Sequence, residues 1–313
     1  MTKPRIILDC DPGHDDAIAL LLAGHRCDIL GVTPVSGNVP LELTSHNALI
    51  TTQILDLDVP VHAGVERPLV AKARHAEFIH GETGLGGPTL PERQRELASA
   101  DAVSFIVDTV RANDDVRLVA TGPLTNVALA LRQAPDIAQK LAGISIMGGG
   151  TNFGNVTPSA EFNIWADPEA ARVVFESGAT LRMCGLNLTH QWMIGPEQIA
   201  QIRDIDNAAA HFVADMLDFY CNAYAEAFFA KPEGPLHDPC AVLVVTHPEL
   251  FEFRERHVAV ELRGEYTRGM TVVDERGLVR RERTDPPNVQ VAYAIDAERA
   301  FALLHESIAS YTD

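Results

Sequence analysis

The chain has 313 residues, of which 46% are hydrophobic, 22% charged and only 6% aromatic, which suits a large buried core and excludes a disordered or fibrous protein. Its 43 acidic residues outnumber 25 basic ones, for a formal net charge of −18, and no basic run could follow a phosphate backbone, so nucleic acid is excluded as a partner. The longest apolar run near the N-terminus, Ala17 to Ala23, falls far short of the ~20 residues of a membrane helix and follows no signal-like segment, so no membrane association and a cytoplasmic location are expected.

In chain order, short apolar runs alternate with helical periods. Arg5 to Asp9 reads as a strand ending in carboxylates, and after a Pro-Gly turn the run DDAIALLLAG reads as a helix closing at Gly24. Asp28 to Val35 repeats the strand signal, and Leu41 to Leu57 shows helical spacing until Val59-Pro60 stops it. A helix is expected near Asp101 to Asn113, a strand at Val116 to Ala120, a helix at Asn126 to Gln133 and a strand at Ile144 to Met147. A helix at Pro168 to Ser177 and a strand at Thr180 to Gly185 continue the rhythm. Beyond residue 195 it loosens into a helical stretch from Ala208 to Ala230 and a helix at Pro239 to Thr246. Strands at His257 to Arg263, Met270 to Val273 and Val289 to Ala294 precede a final helix from Ala297 to Ala309. No repeat or linker interrupts the pattern, so one α/β domain over residues 1 to 313 is expected, an open, mostly parallel sheet flanked by helices. The five cysteines are scattered with no C-x-x-C pair and read as free thiols.

In such a sheet ligands bind outside the carboxyl ends of the strands, and those positions are polar here. LDCDPGHDD places Asp9, Asp11, Asp15 and Asp16 after the first strand, where a dinucleotide-binding chain would carry G-x-G-x-x-G. Gly37-Asn38, Thr121, Thr125-Asn126, the Gly148 to Asn155 loop and Asn187 follow the other strands. Carboxylates crowded on one loop repel one another, and raised pKa values or a bound divalent cation relieve them. All-oxygen ligands suit calcium or magnesium. Either Asp15 or Asp16 alone would be read as a helix cap; four acids around one turn favour the metal, with Asp9 supporting the loop. Asp238-Pro239 and Asp167-Pro168 are equivalent as cap signals, and neither His237 nor His80, in the Gly-rich segment HGETGLGGP, is decisive alone.

DCDPGHDDAIAL, SGN, HGETGLGG, ATGPLTN, MGGG, EFNIWADPEAA and PLHDPC, in that order between Asp9 and Cys240, resemble the nucleoside hydrolase family of the inosine-uridine preferring type. The resemblance implies a Rossmann-like fold with a mixed, mainly parallel sheet, and cleavage of the N-glycosidic bond of ribonucleosides with bound calcium. It implies that Asp11, Asp16 and Asp238 ligate calcium through side-chain oxygens and Thr125 through its backbone carbonyl, which ranks Asp238 over Asp167. It also implies that the metal holds the attacking water, with Asp11 as general base. Asp15, Asn38, Asn155, Glu161 and Asn163 fall where the family grips ribose hydroxyls, with Met147 beside them. His237 falls at the family's general-acid position, with His80 a second candidate for that role. Tyr224 is a candidate for the base, while most aromatics from Phe219 to Phe229 are expected to be core at helical spacing. A homodimer or homotetramer is implied by resemblance alone.

Two other readings compete. D-x-D after a first strand also opens haloacid-dehalogenase phosphohydrolases, but the four lysines, Lys3, Lys72, Lys140 and Lys231, lie outside the motifs. A calcium-dependent ribose or nucleoside-binding protein that has lost turnover is the other, and the intact motif acids and His237 argue against it.

Overall fold

The computed structural model describes residues 2–276 and 285–312. In chain order it has β1 (Arg5–Cys10), α1 (His14–Arg26), β2 (Asp28–Pro34), α2 (Leu41–Ile54), α3 (Glu77–His80), α4 (Ala102–Ala112), β3 (Val116–Ala120), α5 (Thr125–Gln133), α6 (Ile137–Lys140), β4 (Gly143–Met147), α7 (Phe162–Ala166), α8 (Pro168–Phe175) and β5 (Leu181–Cys184). Then come α9 (Leu186–Thr189), β6 (Met193–Ile194), α10 (Pro196–Arg203), α11 (Ala208–Tyr224), β7 (Gly234–Pro235), α12 (Asp238–Thr246), β8 (Phe251–Arg256), β9 (Val258–Val260), β10 (Thr271–Val273), β11 (Val289–Ile295) and α13 (Ala297–Ala309). Among the described residues no helix is long and apolar enough to cross a membrane.

Seven strands form one sheet in the order β2-β1-β3-β4-β5-β11-β8, parallel throughout except for β8, which runs antiparallel to β11. Alternation along β1 sends Ile6, Leu8 and Cys10 to one face and Ile7 to the other, each fully buried. The first face is covered by α1, α11, α12 and α13, and the second by α4, α5 and α8. A strand covered on both sides needs the near-continuous apolar run that β1 has. The chain reverses its direction of travel across the sheet between β1 and β3, so the loops leaving these neighbours part and open a crevice at their carboxyl ends.

The helix after β1 does not close at Gly24; it runs to Arg26 with Cys27 as its C-cap. Gly24 serves close packing, because a Cβ there would lie 2.6 Å from the Tyr311 hydroxyl and 2.7 Å from Leu57. The stretch after Ala208 is α-helical only to Tyr224; Ala225–Phe229 widen into a π turn that ends at Ala230 with φ 54°. Sequence periodicity does not reveal β8, since FEFRER forms a charged edge strand with one face in solvent.

Asp167 caps α8, and its burial goes further than an ordinary cap. Its Oδ1 accepts from Ala170 N at 3.1 Å, and its Oδ2 accepts from Leu69 N and from the Thr125 hydroxyl, both at 2.8 Å. Asp167→Ala leaves these three donors without an acceptor, and a loss of about 2–4 kcal/mol is expected. Urea unfolding of the variant, at unchanged m-value, checks it.

Candidate active site

The loop after β1 enters α1 through Pro12 and Gly13, and its acids turn into the crevice. Asp16 spends both oxygens on this turn: Oδ1 accepts from Thr121 Oγ1 at 2.8 Å and Asp11 N at 3.3 Å, and Oδ2 accepts from Gly13 N at 3.0 Å and Asn38 Nδ2 at 3.2 Å. Asp11 Oδ2 accepts from Asn38 N at 2.7 Å, while Asp11 Oδ1 is buried with no hydrogen-bond partner. Beneath them Asp9 Oδ2 accepts from Thr33 Oγ1 at 2.7 Å and Asn126 Nδ2 at 2.9 Å, tying β1 to β2 and α5. Asp238, in the first turn of α12, closes the cluster. One carboxylate oxygen each from Asp15, Asp16 and Asp238 lies within 4.8 Å of the others, and all three residues are buried.

Burial, reinforced by mutual repulsion, pushes the carboxyls of Asp11, Asp15 and Asp238 well above the usual range, and burial also raises Asp16. Burial takes Asp9 and Glu161 up to about 7 each, against the hydrogen bonds that favour their charged forms. Among the described residues no lysine or arginine lines the cavity above them. An orphaned buried oxygen and three converging carboxylates, with no cation beside them among the described residues, make a donor set that fits a hard divalent ion.

The cavity is lined by Asp15, Asn38, Thr121, Met147, Asn155, Glu161, Asn163 and Asp238, and higher up by His80, Tyr220, Tyr224 and His237. Asp11 and Asp16 lie behind this lining, bonded to Asn38 and Thr121. Glu161 caps α7: Oε1 accepts from Asn163 N at 2.8 Å, and Oε2 accepts from Gly149 N at 2.8 Å and Ile164 N at 3.2 Å. The amide nitrogens of two asparagines are already engaged. Asn38 Nδ2 donates to Asp11 O and Asp16 Oδ2, and Asn163 Nδ2 donates to Thr121 O at 2.6 Å and Met147 O at 3.1 Å. Each therefore offers a ligand its acceptor oxygen, and the cavity floor suits a molecule rich in hydroxyl donors.

Thr125 does not join this group. It opens α5 with its hydroxyl on Asp167, in a separate shallow depression bordered by Ser36, Pro68 and Pro123. Thr121 is the threonine beside the acids, its hydroxyl on Asp16 Oδ1, because β3 ends there: Thr121 N donates to Asp9 O at 2.8 Å, extending the ladder to the edge of the crevice. The Gly122-Pro123 turn then carries the chain away before Thr125.

Both nitrogens of His237 are engaged, Nδ1 with Thr189 Oγ1 at 2.8 Å and Nε2 with the Tyr224 hydroxyl at 2.9 Å. His80 sits on the Gly-rich segment and pairs with His14, their Nδ1 atoms 3.1 Å apart, while His14 Nε2 donates to Gly86 O at 2.8 Å. Asn47 Nδ2 donates to both Pro12 O and Thr83 O, joining that segment to the acidic loop. Of the aromatics from Phe219 to Phe229, Tyr220 and Tyr224 belong to the core and Phe229 packs against it, as expected, while Phe219 and Phe228 are exposed. The two tyrosines also border the cavity, as do the exposed Phe228 (46%) and Phe78 (59%), and Phe219 stacks on His14. The π turn breaks the helical spacing that would have buried Phe228. Phe78, Phe228 and Tyr220 have no signal in the sequence beyond being aromatic.

A family model described as inosine-uridine preferring nucleoside hydrolase matches residues 6–302. The chain is 41% identical over 314 residues to the pyrimidine-specific ribonucleoside hydrolase RihB of Shigella flexneri serotype 5b, covering 99% of each. It is 43% identical over 316 residues to the pyrimidine-specific ribonucleoside hydrolase RihA of Shewanella woodyi, covering 100% of each. Among solved structures it resembles a purine-preferring ribonucleoside hydrolase from Gardnerella vaginalis, with a TM-score of 0.91, 35% identity and 98% of each chain covered. An inosine-guanosine nucleoside hydrolase gives a TM-score of 0.87 at 30% identity, with 99% of each chain covered.

Gly37 and Gly122 pack against the two oxygens of Asp11, and a Cβ at Gly37 would overlap Oδ2. Gly37→Ala is expected to displace that carboxylate and weaken divalent-cation binding about tenfold or more, measured by calorimetric titration, with a stability loss of about 1–3 kcal/mol.

Proposed function

Because this chain belongs to the inosine-uridine preferring nucleoside hydrolase family and is an N-glycosidase of ribonucleosides, we propose that it works with calcium held by the side chains of Asp11, Asp16 and Asp238 and the backbone carbonyl of Thr121. The observation that carries this reading is the convergence of the buried oxygens of Asp15, Asp16 and Asp238 beside the unpartnered Asp11 Oδ1. When bound, the ion offsets the carboxylate charge and makes a water molecule more acidic.

Asp11 is the general base: Oδ1 is its one oxygen without a hydrogen bond, and it takes the proton of the attacking water. Asp15, Asn38, Glu161 and Asn163 hold the ribose hydroxyls through acceptor oxygens, and Asn155 adds a donor, its Oδ1 being occupied by Phe162 N at 3.0 Å. Positive charge grows on the sugar ring as the glycosidic bond breaks, and the acceptor-rich floor favours it. His237, kept neutral in the resting site by burial, and the Tyr224 hydroxyl on its Nε2 supply the proton or hydrogen bond that the departing base needs as negative charge builds on its nitrogen, and the aromatic rim of Phe78 and Phe228 faces that base. The same floor repels a phosphate, and among the described residues no cavity lysine or arginine compensates.

Ribose release from inosine, uridine, cytidine, adenosine and guanosine tests this. Ribose is expected from nucleosides, far less from the matching 5′-monophosphates, with the activity lost to a chelator and restored by calcium. Chelator-resistant turnover would overturn the metal assignment. Asp11→Ala is expected to lower kcat by about 10³-fold, within the range of general acid-base catalysis. For His237→Ala the loss, about 10²-fold on nucleosides, is expected to shrink on p-nitrophenyl riboside, whose leaving group needs no proton; equal losses would remove His237 from the acid role.

A further inference from the structure

Between β9 and β10, outside every motif that carries the family likeness, a segment folds back over the cavity wall and is anchored by side chains. The Ser159 hydroxyl donates to Tyr266 O at 2.6 Å, and Arg268 Nη2 donates to both carboxylate oxygens of Glu169 at 2.8 Å. Gly269, with φ 86°, lies so close to Trp165 on α7 that a Cβ would be 2.8 Å from its Cα.

The innermost anchor is Thr271, buried at the start of β10 and 121 residues from its partner. Its Oγ1 accepts from Gly150 N at 2.9 Å and donates to Gly150 O at 2.6 Å, gripping both polar atoms of one residue. Gly149, at φ 72°, fits under the same side chain, since a Cβ would fall 2.6 Å from Thr271 Cγ2. The next link is the Gly149 N–H, which donates to Glu161 Oε2 at 2.8 Å. Leu186 N holds Gly149 O at 2.8 Å from the other side, so the turn is clamped between β10 and the loop after β5.

We propose that Thr271 is a positioning residue for sugar recognition: its hydroxyl fixes the Gly149-Gly150 turn and thereby the aim of the Glu161 carboxylate. This rests on the reading that Glu161 holds a ribose hydroxyl. The hydroxyl is the specific requirement, because valine keeps the shape of threonine but leaves Gly150 N–H without an acceptor.

The test compares Thr271→Val, Thr271→Ser and Arg268→Ala, using kcat/KM on nucleosides, inhibition by free D-ribose and by free nucleobase, and thermal denaturation. Thr271→Val is expected to lower kcat/KM about tenfold and to weaken ribose inhibition by a similar factor, with base inhibition unchanged. Thr271→Ser is expected to restore both, and Arg268→Ala, which loosens the segment elsewhere, to lower the Tm without separating ribose from base. Should Thr271→Val not fold, Thr271→Ala is read in the same way. Wild-type ribose inhibition in the hydroxyl-free variant, or equal losses for ribose and base, would overturn the proposal while leaving the nucleosidase reading intact. A wild-type protein that releases no ribose from any nucleoside would overturn the nucleosidase reading instead.

Discussion

The structure is organised around an electrostatic debt at the carboxyl edge of its sheet. Asp9, Asp11, Asp15, Asp16, Glu161 and Asp238 are all buried there, and among the described residues no lysine or arginine lines the cavity they surround. Removing several carboxylates from water without a counter-charge is prohibitive, so each is either protonated, held by N–H and O–H donors, or set to share an external cation. The backbone supplies part of the relief. Asp15 and Asp16 sit in the first turn of α1, Asp238 in the first turn of α12, and Glu161 caps α7, so helix N-termini face the cluster. Each end contributes about half a unit charge at most, so the three together fall well short of what six carboxylates require.

The fold explains why the debt accumulates there. Between β1 and β3 the connecting loops part, and backbone that would otherwise be covered can turn side chains into one crevice. Apolar strands and two helical layers hold that edge rigid: Ile6, Ile7 and Leu8 of β1 are fully buried, and Asp9 is bonded at once to Thr33 and Asn126. A stiff frame matters because acceptors aimed at a polyol are selective only when they do not relax toward one another.

The parts of this site legible in the sequence are those carried by local runs. Four acids in LDCDPGHDD after an apolar strand can go nowhere but the strand end, and the Asp167-Pro168 pair reads as the cap it forms. The two threonines of ATGPLTN are four positions apart with the same chemistry. Which of them faces the acids depends on where β3 stops and α5 starts, a tertiary matter that put Thr121 rather than Thr125 in the crevice. Gly24 carries a stop signal that Tyr311 and Leu57 turn into a packing requirement. The link from Thr271 to Gly150 spans 121 residues and leaves no local trace.

The π turn at Ala225–Phe229 has a consequence for how this protein can diversify. A π turn is an α-helix with one residue inserted, and each helical residue advances the chain by about 100°. Loss of a single residue within it would wind the segment back to an ordinary helix and swing Phe228 away from the cavity mouth. Tyr220 and Tyr224 lie upstream, in regular helix, and would keep their places. The rim around the departing base can thus be re-cut by length changes in one short segment, whereas the sugar-binding floor, built from six separate strand-end loops and helix starts, tolerates no such shift.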